Sequence, residues 1–219
     1  MKLNTNSNIY TFVYMTVVVI IVAVLLALAN QSLKPRQEAN ILLDKQKQIL
    51  GALKVDYTNA DPADIYMALV NDTLRYGEQE VYVANLNGAT KYILPLSGKG
   101  LWGGIGGYLA LDEDKNTIYG VNFNHESETP GLGAKIVEPE FRSQFEGKHI
   151  RNAEGAVVSV AVLKAGKHAE GQEQVDAISG ATITSSGVST MLEVNLGEYA
   201  EFLNELNEGK EEDHVESED

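Results

Sequence analysis

The chain contains no cysteine. That absence removes disulfides, thiolate metal sites, cysteine nucleophiles and any flavin attached through sulfur, while leaving both cytoplasm and periplasm open. Cationic side chains are also scarce. Seventeen Lys and Arg face 31 Asp and Glu, a formal net charge of -14, and the few cations form no patch able to neutralise a phosphate backbone. Nucleic acid is therefore excluded as a partner, and any anionic ligand must be met by local donors. No internal repeat is visible. No second histidine stands at metal-ligand spacing from His125, so no metal is assigned.

What is present begins with one long apolar run. Ile9 to Ala29 is 21 consecutive uncharged residues rich in Val, Ile, Leu and Ala, close to the ~20 needed to span hydrocarbon, and reads as a transmembrane helix. Ala27-Leu28-Ala29 also has the form of a signal-peptidase site, but the run exceeds the ~7 to 15 apolar residues of a signal peptide. Residues 1–8 form a short flank. Lys34, Arg36, Lys45 and Lys47 follow the span, and a literal count of positive charge would keep the following domain inside the cell.

Lys34-Pro35-Arg36 is expected to break the helix, after which Ile41, Leu42, Ile49, Leu50 and Leu53 resume helical spacing in a stalk over 30–55. A soluble domain is expected over 56–207. Asp61-Pro62 signals the start of a short helix carrying Ile65 and Leu69, which Asn71-Asp72 would end. Glu80 to Leu86 and Tyr92 to Leu96 read as strands whose connection opens with the hairpin pair Asn87-Gly88. Tyr108 to Leu111 and Thr117 to Phe123 form a second hairpin around the polar turn Asp112 to Asn116, and Ala156 to Leu163 reads as a further strand. Val188, Leu192, Leu196, Tyr199, Leu203 and Leu206 then recur at steps of three and four, the apolar face of one helix. Residues 208–219, with seven acidic side chains and one Lys, read as a disordered tail. Strands and helices do not alternate regularly. The fold class is α+β: one domain of largely antiparallel sheet with packed helices, behind a single N-terminal transmembrane helix.

Three segments carry candidate chemistry. Gly98-Lys99-Gly100-Leu101-Trp102-Gly103 matches G-x-G-x-x-G, but Gly104, Gly106 and Gly107 lead into a β-rich hairpin and not a helix, so the dinucleotide fingerprint is rejected. The segment is either a plain turn or a place where backbone approaches a flat ligand, with Trp102, the only tryptophan, as an aromatic face. His125 to Gly133 contains Glu128-Thr129-Pro130-Gly131-Leu132-Gly133, which alone would be an ordinary surface turn. Asp176-Ala177-Ile178-Ser179-Gly180-Ala181-Thr182 precedes the amphipathic helix, with Thr184, Ser185 and Ser186 at its start. Those hydroxyls could cap the helix, or the free amides there could hold a phosphate to which a threonine hydroxyl is esterified.

Together these segments resemble the NqrC subunits of the Na+-translocating NADH:quinone reductases, within a covalent FMN-binding family shared with the equivalent FMN subunits of the Rnf electron-transport complexes. The flavinylation run of that family corresponds to Asp176 and Ser179-Gly180-Ala181-Thr182. The resemblance implies that Thr182 bears FMN through a phosphoester, with Thr184, Trp102, Glu128, Thr129, Gly131 and Leu132 as neighbouring cofactor-site residues. Gly98 to Trp102 and Leu43 to Leu50 favour the sodium pump over Rnf. The implied role is electron transfer, the implied partners are the other subunits of a membrane oxidoreductase and a flavin transferase, and the implied place is the bacterial inner membrane with the domain on the periplasmic side. No complete NADH, quinone or sodium site is expected on this chain alone. The rival class is an anchored assembly module without flavin; a serine hydrolase is weaker, since Ser185-Ser186-Gly187 is not G-x-S-x-G.

Overall fold

The computed structural model describes residues 8–77 and 79–207, so the acidic tail expected over 208–219 lies outside the described residues. The chain divides between Lys45 and Gln46 into two units. The described residues of the first are helix. α1 runs without interruption over Asn8–Ala52, and it contains the one described helix long and apolar enough to cross a membrane. Ile9, Phe12, Ile20, Leu25 and Leu28 are all more than half exposed, as expected of side chains whose solvent is lipid.

The expected break at Pro35 does not occur. Proline removes one intrahelical bond and costs about 3 kcal/mol in a helix interior, yet it sits among good helix formers. Lys34 and Glu38, one turn apart across it, pair at 3.8 Å. The ring thus interrupts one hydrogen bond without ending the element.

The second unit is built on a five-stranded antiparallel meander in the order β1-β2-β3-β4-β5. Asp61 caps α2 (Pro62–Leu69) by accepting from the Ala63 amide, after which the chain turns directly into β1 (Val70–Tyr76). Asn71 and Asp72 therefore lie inside a strand, with a register shift between Val70 and Asp72; pairing with β2 (Gln79–Leu86) overrides their preference for turns. Asn87 and Gly88, with φ of 54° and 86°, form the two-residue turn into β3 (Ala89–Lys99). β4 (Gly104–Leu111) and β5 (Ile118–His125) complete the sheet.

Alternation sorts the sheet's side chains onto two covered faces. Leu94, Leu96, Leu109, Leu111 and Phe123 enter one core with Phe141, Phe145, Val188, Leu192 and Leu196. Ile93, Ala110, Tyr82 and Ala84 enter a second core with Ile49 and Ala52 from the end of α1 and Leu53 just beyond it. That helix end lies so close to β5 that a Cβ on Gly120 would fall 2.5 Å from the Ala52 carbonyl. A sheet buried on both faces needs nearly continuous apolar strands, which β4 supplies.

After β5 come a 3-10 turn over Gly133–Val137, the short α3 (Pro139–Arg142) and a second 3-10 turn over Ser143–Phe145. The strand expected over Ala156 to Leu163 shrinks to β6 (Ala161–Val162), which pairs in parallel with β7 (Gln174–Val175). Ser159 at φ 88° bends the backbone out of extension. The amides of Val158 and Ser159 both donate to the Ile150 carbonyl. The expected single terminal helix is two, α4 (Thr182–Glu198) and α5 (Ala200–Asn207), and the apolar spacing continues across Tyr199 because both pack on the same core.

Asn195 fixes α4 to the sheet. The β2 register ends with Tyr82 opposite Ile93, so beyond it β3 is paired on the β4 side alone. Asn195 accepts from the Ser97 amide at 3.0 Å and donates to the Ser97 carbonyl at 3.0 Å and to Met191 O at 2.8 Å. One side chain stands in for a missing strand. Asn195→Ala leaves these buried backbone groups short of partners and is expected to cost roughly 2 to 4 kcal/mol, read as a fall in Tm of about 5 to 15 °C in thermal melts. A change below about 1 kcal/mol would show that water replaces the amide without penalty.

Candidate functional site

The site lies where β3 ends, where α4 begins and where the loop after β5 passes between them. Gly98 and Gly187 allow the approach. A Cβ on Gly187 would sit 2.5 Å from the Lys99 carbonyl, and one on Gly98 would sit 2.7 Å from Met191 Cβ, so larger residues would push α4 off the strand. The two elements enclose a groove of about 590 Å³. Its walls include Gly98, Lys99 and Gly100 on one side and Thr182, Ser186 and Thr190 on the other. Lys99 is the one charged side chain in that lining.

Thr182 is the first residue of α4, and its side chain is exposed at the groove. Ala181 precedes it as N-cap with no side-chain cap, so the hydroxyls gathered here do not cap the helix. Ser185 Oγ instead accepts from the Ile178 amide at 3.1 Å and fixes the approach to the helix. The first-turn amides of an α-helix have no intrahelical acceptors, and their dipoles favour an anion. An exposed threonine hydroxyl therefore stands at an uncapped helix start.

Behind the Gly100 wall lies Glu128, only 4% exposed. Its Oε1 accepts from the Trp102 amide at 3.0 Å, and its Oε2 accepts from the Thr184 hydroxyl at 2.7 Å. The Glu128 amide donates to His125 Nδ1 at 3.3 Å. Space for the carboxylate is cut by glycine: a Cβ on Gly100 would meet Oε1 at 2.3 Å, and one on Gly133 would meet Oε2 at 2.3 Å and Thr184 Oγ1 at 2.6 Å. Burial acts most strongly on this carboxyl, pushing its pKa up. The Thr184 hydroxyl, the Trp102 and Leu101 amides and nearby His125 together outweigh burial and hold it below the ordinary value of 4.5.

The other expected site residues fall around this centre in unequal ways. Thr129 O accepts from the Leu132 and Ala134 amides at 3.1 Å each, and Gly131 at φ 75° closes that turn. Leu132 packs at Gly180, where a Cβ would meet Leu132 Cδ2 at 2.9 Å. Trp102 gives its amide to Glu128 while its side chain is 67% exposed; it is absent from the groove lining. Ser179 is exposed on a separate cavity of about 200 Å³, and Ala181 is buried. Asp176 stands apart from Glu128: it accepts from the Ala169 amide at 2.6 Å, lies 3.2 Å from His168 Nδ1 and receives no groove contact. The Ala169 amide, followed by His168, draws its pKa below the usual range.

Sequence reasoning missed Lys99, Ser186 and Thr190 as groove residues, and it missed what Glu128 joins. Ser186 and Thr190 could have been found from the spacing of α4, since they lie one and two turns beyond Thr182; Lys99, on β3, could not. The Glu128 contacts carry no local signal, because their partners are 26 and 56 residues away.

Comparison with known proteins gives a consistent picture. A family profile described as an FMN-binding domain matches residues 100–196. The NqrC subunit of the Na+-translocating NADH-quinone reductase of Vibrio alginolyticus is 27% identical over 85% of this chain and 90% of its own length. The crystal structure of the same subunit from Parabacteroides distasonis is 41% identical with a TM-score of 0.73, covering 78% of this chain and 96% of that one. The crystal structure of Shewanella oneidensis NqrC is 26% identical with a TM-score of 0.62, covering 74% and 96%.

A pH dependence follows from Glu128. A carboxyl whose folded pKa lies below its unfolded value contributes stability fully above the unfolded value, and loses it as pH falls through the folded one. Melting temperature is expected to fall as pH drops below about 4.5. In Glu128→Gln that component of the slope should disappear, and an unchanged slope would show that other carboxyls account for it.

Proposed function

Because the chain belongs to the NqrC family of Na+-translocating NADH-quinone reductase subunits, as an FMN-carrying electron-transfer component of that membrane enzyme, we propose that the FMN is held covalently, as a phosphoester on Thr182. The observation that carries this reading is the exposed Thr182 hydroxyl at the uncapped start of α4, opening onto a groove whose opposite wall is the end of β3. The residues fit the group. A phosphoryl on Thr182 Oγ1 would be met by the first-turn amides of α4, which are suited to its charge. Gly98 and Gly100 add no side chain to the groove wall, and Ser186 and Thr190 offer hydroxyls along the helix side.

Bound FMN takes up and releases electrons singly or in pairs, so the chain's own task is to hold, orient and poise it. The ester places it: a covalent link keeps the cofactor at the protein and restricts where its ring can reach. Asp176, Ser179, Gly180 and Ala181 shape the approach to Thr182, and we assign to that run recognition by a flavin transferase. Gly180 at φ 78° is the conformational requirement within it. Thr184, two residues beyond Thr182, is not assigned as the attachment point, because it is 1% exposed and its hydroxyl is given to Glu128. Membrane attachment by α1 keeps the carrier with the other subunits of the complex, and we assign the soluble unit to the periplasmic side on the family resemblance, against the count of positive charge after the span.

Two experiments test this. Thr182→Val keeps the side chain's shape and removes its hydroxyl, so after coexpression with the flavin transferase its band on a denaturing gel should lose all flavin fluorescence. Thr184→Val should keep the fluorescence while melting at lower temperature. The opposite pattern would move the attachment point to Thr184. For sidedness, the absence of cysteine allows a single reporter: Glu170→Cys, in an exposed loop, is expected to react with a membrane-impermeant thiol reagent in intact spheroplasts. Reaction only after lysis would place the domain in the cytoplasm.

A further inference from the structure

Among the described residues, Glu128 is the one buried carboxylate bonded both to the loop after β3 and to the first turn of α4. Its bonding partners are the Thr184 hydroxyl and backbone amides, which stabilise an anion without adding a positive charge; the nearest cationic group is His125, whose Nδ1 accepts from the Glu128 amide and which is neutral at mildly alkaline pH. Between this carboxylate and the groove stands Gly100, a groove residue so close that a Cβ on it would overlap Oε1 at 2.3 Å. The groove's one cation, Lys99, is exposed, where water screens it far more than protein screens Glu128.

We propose that Glu128 sets the redox poise of the site: its fixed negative charge, held directly behind the Gly100 wall, lowers the midpoint potential of the FMN carried at Thr182. The inference rests on the flavin attachment proposed above. Reduction adds electrons to the flavin, and a nearby buried anion disfavours that gain electrostatically whether or not it touches the ring. Glu128 need not contact the cofactor. The two glycines that make room for it, Gly100 and Gly133, give it a fixed place, so its effect on the potential is constant from molecule to molecule.

The test is potentiometric titration of full-length flavinylated protein in detergent, followed by flavin absorbance at mildly alkaline pH. Glu128→Gln keeps the shape and an acceptor for the Trp102 amide but removes the charge. It is expected to favour reduction about tenfold, a rise of about 59 mV for a one-electron step. Glu128→Asp, which retains the charge, should shift the potential by much less. Thr184→Val keeps the carboxylate and withdraws the hydroxyl dipole that offsets it, so its midpoint should fall, a sign that general loosening of the site does not predict. An unchanged or lowered midpoint in flavinylated Glu128→Gln overturns the proposal. If that variant does not fold or take up flavin, Thr184→Val decides: a lower midpoint supports the proposal, and an unchanged or higher one overturns it. Persistence of covalent flavin in Thr182→Val would instead overturn the attachment reading, independently of any midpoint.

Discussion

A carboxylate removed from water is costly unless its oxygens are met by donors, and the site is organised around meeting that demand at Glu128. One oxygen takes the Trp102 amide and the other the Thr184 hydroxyl. These partners lie on the β3–β4 loop and on the first turn of α4, so satisfying the charge fixes the loop, the helix start and the segment after β5 relative to one another. Removing either donor leaves a buried charge underserved. This is why a residue with almost no exposed surface can govern a groove that it does not line.

Close approach is the second requirement, and glycine meets it at each crossing. Gly98 and Gly187 bring α4 onto β3, while Gly100 and Gly133 clear the space that Glu128 fills. Asn195 then supplies the hydrogen bonds that β3 lacks beyond its pairing with β2. The start of α4 is thereby held against rigid sheet, not against a loop, which suits a cofactor whose geometry must be reproducible for electron transfer. The link proposed at Thr182 uses this directly: the helix start supplies amides for a phosphate, and the end of β3 lines the other side of the groove.

Much of this was legible in sequence, for identifiable reasons. The Asn87-Gly88 hairpin, the Asp61 cap and the apolar spacing of α4 are short-range signals, and the structure follows them. The misread elements were decided by context. Pro35 looks like a helix terminator, but one lost hydrogen bond does not stop good helix formers on both sides. Asn71 and Asp72 look like a turn, but pairing with β2 holds them extended. Ala156 to Leu163 has strand composition, yet Ser159 at positive φ breaks it. The Ser179-Gly180-Ala181-Thr182 run could be recognised by resemblance, whereas the Glu128 contacts depend on three distant segments meeting. Glycines in Gly98 to Gly107 could be counted in sequence; that Gly100 makes room for a carboxylate, while Gly98 admits a helix, could not be read there.

Everything proposed for the groove turns on the flavin being bonded to the Thr182 hydroxyl at the start of α4. Mass spectrometry of the natively expressed, full-length protein, with fragmentation of the peptide that contains residues 176–187, addresses this most directly. The expected result is one added FMN less one water per chain, with fragment ions assigning that mass to Thr182. An unmodified Thr182 peptide from protein that retains flavin, or the added mass on Thr184, Ser185 or Ser186, would contradict it.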